Sequence, residues 1–397
     1  MSRTISAGSY RAVLALPYAR LIFAAALAGR LAYGLLPLSL LFTVQSATQS
    51  FASAGAAVAV FGATSILLPF KSRIVDRHGQ HRVLPLLAGT CSSALVAVTV
   101  LAWSGTGSTS AYIALTVLAG AGAPPLGPAM RATWRVLTEG SDLKERAYSL
   151  DSVCEETLYL IGPMIVGFVL AVASGTTALA ATACLLSAGT CAMVCSPPAR
   201  HRDSDRPSRA LRFTVGPLRA PEFPPVVATI LATAAALSLA YTCIAARAQD
   251  QGAPQAAGYI EAAIACGSVT GGLLWGRRIH RRGRMTHLAA LAAYLAVGIS
   301  IATVATNLLT LGMVLAPTGL AIAPLFVVAY LAADELAPPH QRTEASTWVN
   351  TANNLGSSAG ASAAGILIET AGTAAGFAAG GALLGAIAIV VGLGNRR

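Results

Sequence analysis

The stretch Lys71-Ser72-Arg73-Ile74-Val75-Asp76-Arg77-His78-Gly79-Gln80-His81-Arg82 separates two long apolar runs. A short, charged, Gly-containing segment in that position reads as the turn joining two membrane helices on their cytoplasmic side. The pattern returns in the second half as Gly276-Arg277-Arg278-Ile279-His280-Arg281-Arg282-Gly283-Arg284. In both copies three residues separate a small residue from Asp76 or His280. A basic residue follows at once, then one spacer, then glycine. An echo of this kind between two apolar hairpins indicates a protein of two similar halves.

Composition gives the solvent. Of 397 residues, 55% are hydrophobic and 11% charged, whereas a soluble domain is nearer a quarter charged. The surplus apolar surface fits a bilayer, and the abundance of Ala and Gly fits closely packed membrane helices. The net charge is +11, which by itself would also suit a nucleic-acid partner. Its distribution argues otherwise. Apart from Arg30 and Arg247, every Lys and Arg falls in alternate loops or at the termini, and the positive-inside rule makes that face cytoplasmic. The charge therefore records topology, and no nucleic-acid partner is expected. The cysteines, Cys91, Cys154, Cys184, Cys191, Cys195, Cys243 and Cys266, all lie in apolar runs and read as small buried hydrophobes. The first apolar run is too long for a signal peptide and lacks a small-x-small cleavage site.

A helix needs about 20 apolar residues to cross the hydrocarbon core. Twelve such runs are expected, at 21–43, 51–70, 83–103, 111–130, 149–172, 177–196, 225–246, 256–275, 286–306, 309–331, 347–368 and 373–393. This predicts an all-α polytopic membrane protein: twelve transmembrane helices in two pseudo-symmetric six-helix bundles, residues 1–196 and 225–397, both termini cytoplasmic. A hydrophilic linker, 197–224, joins them, and its tail with several prolines suits the membrane surface. Gly120-Ala121-Gly122-Ala123-Pro124-Pro125-Leu126 in span four echoes Gly319-Leu320-Ala321-Ile322-Ala323-Pro324-Leu325 in span ten. Pro125 and Pro324 each free a carbonyl and permit a kink.

The first charged segment resembles the signature of the major facilitator superfamily, small-x-x-x-Asp-Arg-x-Gly-x-x-Arg between the second and third helices. Ser72 stands where Gly is usual, and the second copy has His280 in place of the acid. The resemblance extends over nearly the whole chain through the rhythm of spans and loops. It implies a transporter whose cytoplasmic gate is braced by this loop: Asp76, Arg77 and Gly79, with Arg342 before span eleven as partner. Gly162-Pro163 with Gly167 partly resembles the fifth-span antiporter motif of bacterial drug and metabolite exporters in that superfamily. Val166 and Leu158 stand where further glycines are usual. That likeness implies export by proton antiport.

Several residues could carry the chemistry. Arg30 lies near the middle of span one, where a charge costs about 2.5–3.5 kcal/mol on insertion scales. It should face a watery cavity or an acid, either for function or in a structural ion pair. Glu155 and Glu156 in span five are the obvious acids. Adjacent residues point about 100° apart on a helix, and the polar stripe Asp151–Glu155–Tyr159 favours Glu155 as cavity-facing. Two carboxylates beside one guanidinium form a titrating cluster suited to proton coupling. Asn350 and Asn354 share a face of span eleven and could touch substrate or join helices. Tyr33, Tyr159 and Tyr241 could bind an organic substrate or pack in the membrane.

No phosphate loop, metal-ligand set or nucleophile elbow is present in the sequence, so neither an enzyme nor a cofactor is expected. The expected function is secondary active transport by alternating access: proton-coupled export of a small organic molecule such as a drug or natural product, by a monomer in the bacterial inner membrane. A proton symporter or facilitator importing a metabolite is the alternative, and a non-transporting membrane sensor or scaffold a third.

Overall fold

The computed structural model describes residues 10–195, 216–253, 255–278, 280, 283–338 and 341–394. Among them all regular structure is helical, as hydrocarbon requires of a chain that must satisfy its own backbone. A short helix, α1 (Tyr10–Leu14), precedes the first span, α2 (Ala19–Thr48). Span two is α3 (Phe51–Ala63), a 3-10 turn (Thr64–Leu67) and α4 (Leu68–His78). Span three is α5 (Gln80–Ser104). Span four is divided into α6 (Thr109–Gly122) and α7 (Leu126–Leu137). Spans five and six are α8 (Lys144–Val172) and α9 (Gly175–Val194).

The second half repeats this plan. Spans seven and eight are α10 (Phe223–Asp250) and α11 (Gln255–Trp275). Span nine is α12 (Arg284–Ile301) with a 3-10 turn (Ala302–Val304). Span ten is α13 (Leu308–Thr318), a 3-10 turn (Gly319–Ala321) and α14 (Ile322–Leu336). The last helical run, α15 (Arg342–Gly394), turns at Gly372, whose φ of 80° is non-helical. Among the described residues eleven helices are long and apolar enough to cross a membrane. The first arm of α15, before Gly372, is not among them and stands at the position of span eleven. Its run of Thr, Asn and Ser between Thr347 and Ser362 makes it the least apolar.

Local chemistry sets the helix ends. Spans two, four, six and ten open on side-chain N-caps: Ser50 accepts from the Ser53 amide at 3.2 Å, Ser108 from Ala111 at 3.2 Å, Ser174 from Thr177 at 3.3 Å and Asn307 from Thr310 at 2.8 Å.

The structure corrects the expected loop at 71–82. Helix α4 runs through Asp76 and Arg77 to His78, and α5 starts at Gln80. Gly79 alone makes the corner, with φ 88°. Apolarity marks where lipid ends, whereas a helix ends where its backbone is interrupted. For the same reason span five begins at Lys144, ahead of the expected 149. The expected linker, 197–224, lies largely outside the described residues. Its described end holds a 3-10 turn (Gly216–Arg219) and the start of α10 at Phe223. The cysteines also divide. Cys91 and Cys243 are buried, but Cys184, Cys191, Cys195 and Cys266 are exposed. A small apolar thiol needs no packing on a face that meets lipid.

The chain forms two compact units. The first contains Arg11–Ser141 and the chain from Thr157 through α9; the second contains Tyr10, Asp142–Glu156 and the chain from α10 onward. In the first, α2 packs on α9 and α3, and α5 on α9 and α6. Leu35, Val166 and Ala178 lie in its core, with Leu31, Leu38 and Val169 against them. In the second, α15 packs on α10 and α12, and α11 on α13 and α14.

Small residues set two of these crossings. A Cβ on Gly162 would lie 2.5 Å from the Gly34 carbonyl carbon, so spans one and five touch backbone to backbone. Gly267 and Gly271, one turn apart, leave no room for a Cβ against the carbonyls of Ala316 and Leu320. Gly167 has open space around it. Gly162→Val should therefore destabilise the protein by about 1–3 kcal/mol through overpacking, while Gly167→Val should not. Thermal unfolding midpoints in detergent measure the difference; equal midpoints would refute the crossing.

Candidate functional site

The site in the first unit grows from a defect in span four. Pro124 and Pro125 have no N–H, so the carbonyls of Gly120 and Ala121 lose their helical donors. Ala123, with ψ 118°, turns its own carbonyl out of the ladder. The break divides the span into helices of 14 and 12 residues.

Two side chains reach carbonyls of the break, of which Gly120 O and Pro124 O also accept from the Ala123 and Leu126 amides at 3.2 and 2.9 Å. The Lys71 ammonium donates to Gly120 O at 3.0 Å and Ala123 O at 2.7 Å. The Tyr33 hydroxyl donates to Pro124 O at 2.6 Å. Lys71 is only 4% exposed, so this loop-like lysine of the sequence is an interior residue of span two. Arg131, also expected outside the apolar run, is buried in α7. Below the break, Gln80 donates to Ala129 O at 3.2 Å, tying α5 to α7.

The second unit gathers charge at one end. Lys144, at the start of α8, pairs with the buried Asp334 at the end of α14. Glu145 Oε1 lies 2.9 Å from His280 Nδ1 and 3.5 Å from Arg284, which also binds Glu335 at 3.0 Å. The His280 ring stacks on Trp275, centroids 3.8 Å apart, with His287 edge-on. Tyr10 is anchored nearby. Its hydroxyl donates to Leu273 O at 2.6 Å and lies 3.1 Å from Ser149 Oγ. Burial pushes this phenol above its ordinary value, against the downward pull of the Ser149 hydrogen bond, Arg277 and Arg146.

Residues 21–361, and again 226–396, match the Major Facilitator Superfamily. The chain belongs to that superfamily. No curated protein sequence matches it. Solved structures share the fold. The human organic anion transporter MFSD10 (TETRAN) is 17% identical with a TM-score of 0.70, over 96% of this chain and 99% of that one. A bacterial homologue of the iron transporter ferroportin, in an outward-facing state, is 14% identical with a TM-score of 0.73, over 95% and 100%. The protein is thus an all-α, multi-pass membrane transporter of the major facilitator fold.

Against this fold the sequence-predicted residues fall as follows. Arg30 is buried in α2, 4% exposed, and belongs to the first unit. Glu155 and Glu156 are half-buried on α8 and belong to the second. Tyr33 is spent on the span-four break. Tyr159 is 53% exposed, and Tyr241 half-buried in α10. Asp76 and Arg77 lie in the last turn of α4, Gly79 at its corner, and Arg342 is the first residue of α15. Asn350 accepts a hydrogen bond from Tyr330 at 2.5 Å, while Asn354 is half-buried. Gly162 serves a helix crossing.

Lys71 and the Glu145–His280 pair went unread in the sequence. The adjacent prolines of span four were the available signal for the first, since broken carbonyls in lipid demand a donor. The second has no local signal, because its partners are far apart along the chain.

The Tyr330–Asn350 bond yields a test. Tyr330→Phe and Asn350→Ala should each lower stability by about 0.6–2 kcal/mol, and the double variant should lose little more than either. A double-mutant cycle on unfolding free energies checks this; additive losses would return Asn350 to the substrate-contact reading.

Proposed function

We propose that this transporter is a secondary exporter that exchanges protons for a small organic molecule, by alternating access, in a bacterial cell membrane with both termini cytoplasmic. Bundles 1–196 and 225–397 are the proposed moving parts, joined by linker 197–224. The observation that carries the reading is charge kept inside apolar spans. Arg30 is buried in mid-span, and consecutive carboxylates stand nearly half-way along α8. Ionisable groups at such depth are costly and mark ion and substrate paths.

The three residues divide the work. A guanidinium does not deprotonate, so Arg30 supplies fixed positive charge. The carboxylates of Glu155 and Glu156, adjacent and like-charged, do not ionise independently, so one of them carries the exchanged proton. Tyr159, Tyr241 and Asn354 are the proposed substrate contacts, with Tyr33 and Asn350 shaping the wall. Asp76, Arg77, Gly79 and Arg342 are the proposed cytoplasmic gate. The organic anion transporter among the similar folds supports an organic solute as cargo for this architecture.

Everted membrane vesicles test the reading. Under an inward-acid gradient they should accumulate ethidium or members of a panel of organic anions and antibiotics. Glu155→Gln with Glu156→Gln should abolish gradient-driven accumulation, by more than tenfold, and spare gradient-independent exchange. Proton-driven accumulation by the double variant would sink the proposal, and accumulation only in right-side-out vesicles would make the protein an importer. Asp76→Asn at unchanged expression should slow transport; full activity would remove the gate assignment.

A further inference from the structure

We propose that the break in span four is a monovalent-cation site and that the Lys71 ammonium is its tethered occupant. The site consists of main-chain carbonyls. Gly120 O, whose i+4 donor is replaced by Pro124, keeps only a 3-10 bond from the Ala123 amide at 3.2 Å, and Ala123 O left the helical ladder at the same place. Both point at Lys71 Nζ, at 3.0 and 2.7 Å. The neighbouring carbonyl, Pro124 O, is held by Tyr33 at 2.6 Å, which fixes the kinked backbone from a third helix.

The choice of residue at position 71 needs a reason. An apolar side chain there would avoid the several kcal/mol that burying an ammonium costs. A neutral donor such as Ser is too short to reach two carbonyls of another helix. Carbonyl clusters in unwound membrane helices are cation ligands in general, taking alkali ions in channels and transporters. Here a side chain of the same chain fills that place, with charge and donors together. The site is consequently loaded whatever alkali ion is present, and α6 and α7 stay joined to α4 without a diffusible ligand. The inference involves neither substrate nor direction and stands apart from the transport reading.

The test uses the full-length protein purified in detergent with N-methylglucamine as the sole added cation. The wild-type unfolding midpoint should not move when Na+, K+ or propylammonium replaces N-methylglucamine at constant ionic strength. Lys71→Ala should melt several degrees lower. Propylammonium, which restores the atoms removed beyond Cβ, should raise that midpoint saturably. A response to K+ or Na+ as well would extend the site to alkali ions. Lys71→Met should melt low and respond to none of them, because its apolar chain fills the tether's space. A wild-type midpoint for Lys71→Ala, no response to any of the three cations, or an equal response from the wild type would overturn the proposal. If Lys71→Ala cannot be purified, Lys71→Arg decides against Lys71→Met. An Arg variant that melts above the Met variant supports the site. A Met variant at least as stable as the Arg variant overturns it.

Discussion

Hydrocarbon offers a backbone carbonyl no partner, and that constraint shapes both units most visibly where a span is interrupted. A free amide in lipid costs several kcal/mol. A proline in mid-membrane is therefore tolerated only when something else meets the carbonyl it strands. In span four the adjacent Pro124 and Pro125 break the helix outright, and Lys71 and Tyr33 reach in from two other helices. Span ten, with Pro324 in the matching place, keeps hydrogen bonding by tightening into the 3-10 turn Gly319–Ala321. There too a tyrosine from another span assists: Tyr294 donates to Pro317 O at 3.0 Å. Both halves use a hydroxyl to hold a proline carbonyl, but only the wider break recruits a charge.

The charged corners show the same divergence from a shared plan. In the first half, Asp76 and Arg77 sit on the last turn of α4 before Gly79. In the second, His280 occupies the place of the acid, and the negative charge comes from Glu145 at the start of α8. Trp275 stacks against the imidazole and fixes its plane. Arg284 then bridges Glu145 to Glu335. The acid missing from the sequence echo is thus supplied from a distant part of the same compact unit. The two corners keep a common outline while differing in where their negative charge resides.

What the sequence revealed and what it withheld follow from the range of the forces involved. Lipid acts on composition, residue by residue, so the spans and the doubled hairpin were legible in apolar runs and in the Asp76 and His280 segments. Helix ends were legible only in part. Lys71 and Asp76 looked like loop because they are charged, yet nothing between Leu68 and His78 interrupts a helix. The eleventh span shows the reverse. It was legible as a span, although its hydroxyls and amides make it the least membrane-like in composition. Pairings such as Lys71 with Gly120, or Lys144 with Asp334, were out of reach. Each depends on which helices become neighbours, and no local pattern encodes that. The close approaches at Gly34–Gly162 and Gly267–Gly271 lay in plain view as glycines, but abundant Ala and Gly elsewhere hid which of them mattered.

Lys71 and Arg30, two of the buried cations of the first unit, differ in chemistry. Lys71 is a compact charge with rotatable donors on a flexible stem, suited to carbonyls whose directions are set by a broken backbone. Arg30 carries a rigid planar fork suited to carboxylates and other flat anions. Exchanging them would satisfy neither place. A guanidinium at position 71 is bulkier than the ammonium, and an ammonium at position 30 would lack the planar fork. Lys71 and Tyr33 fix the kink around which the first unit is built.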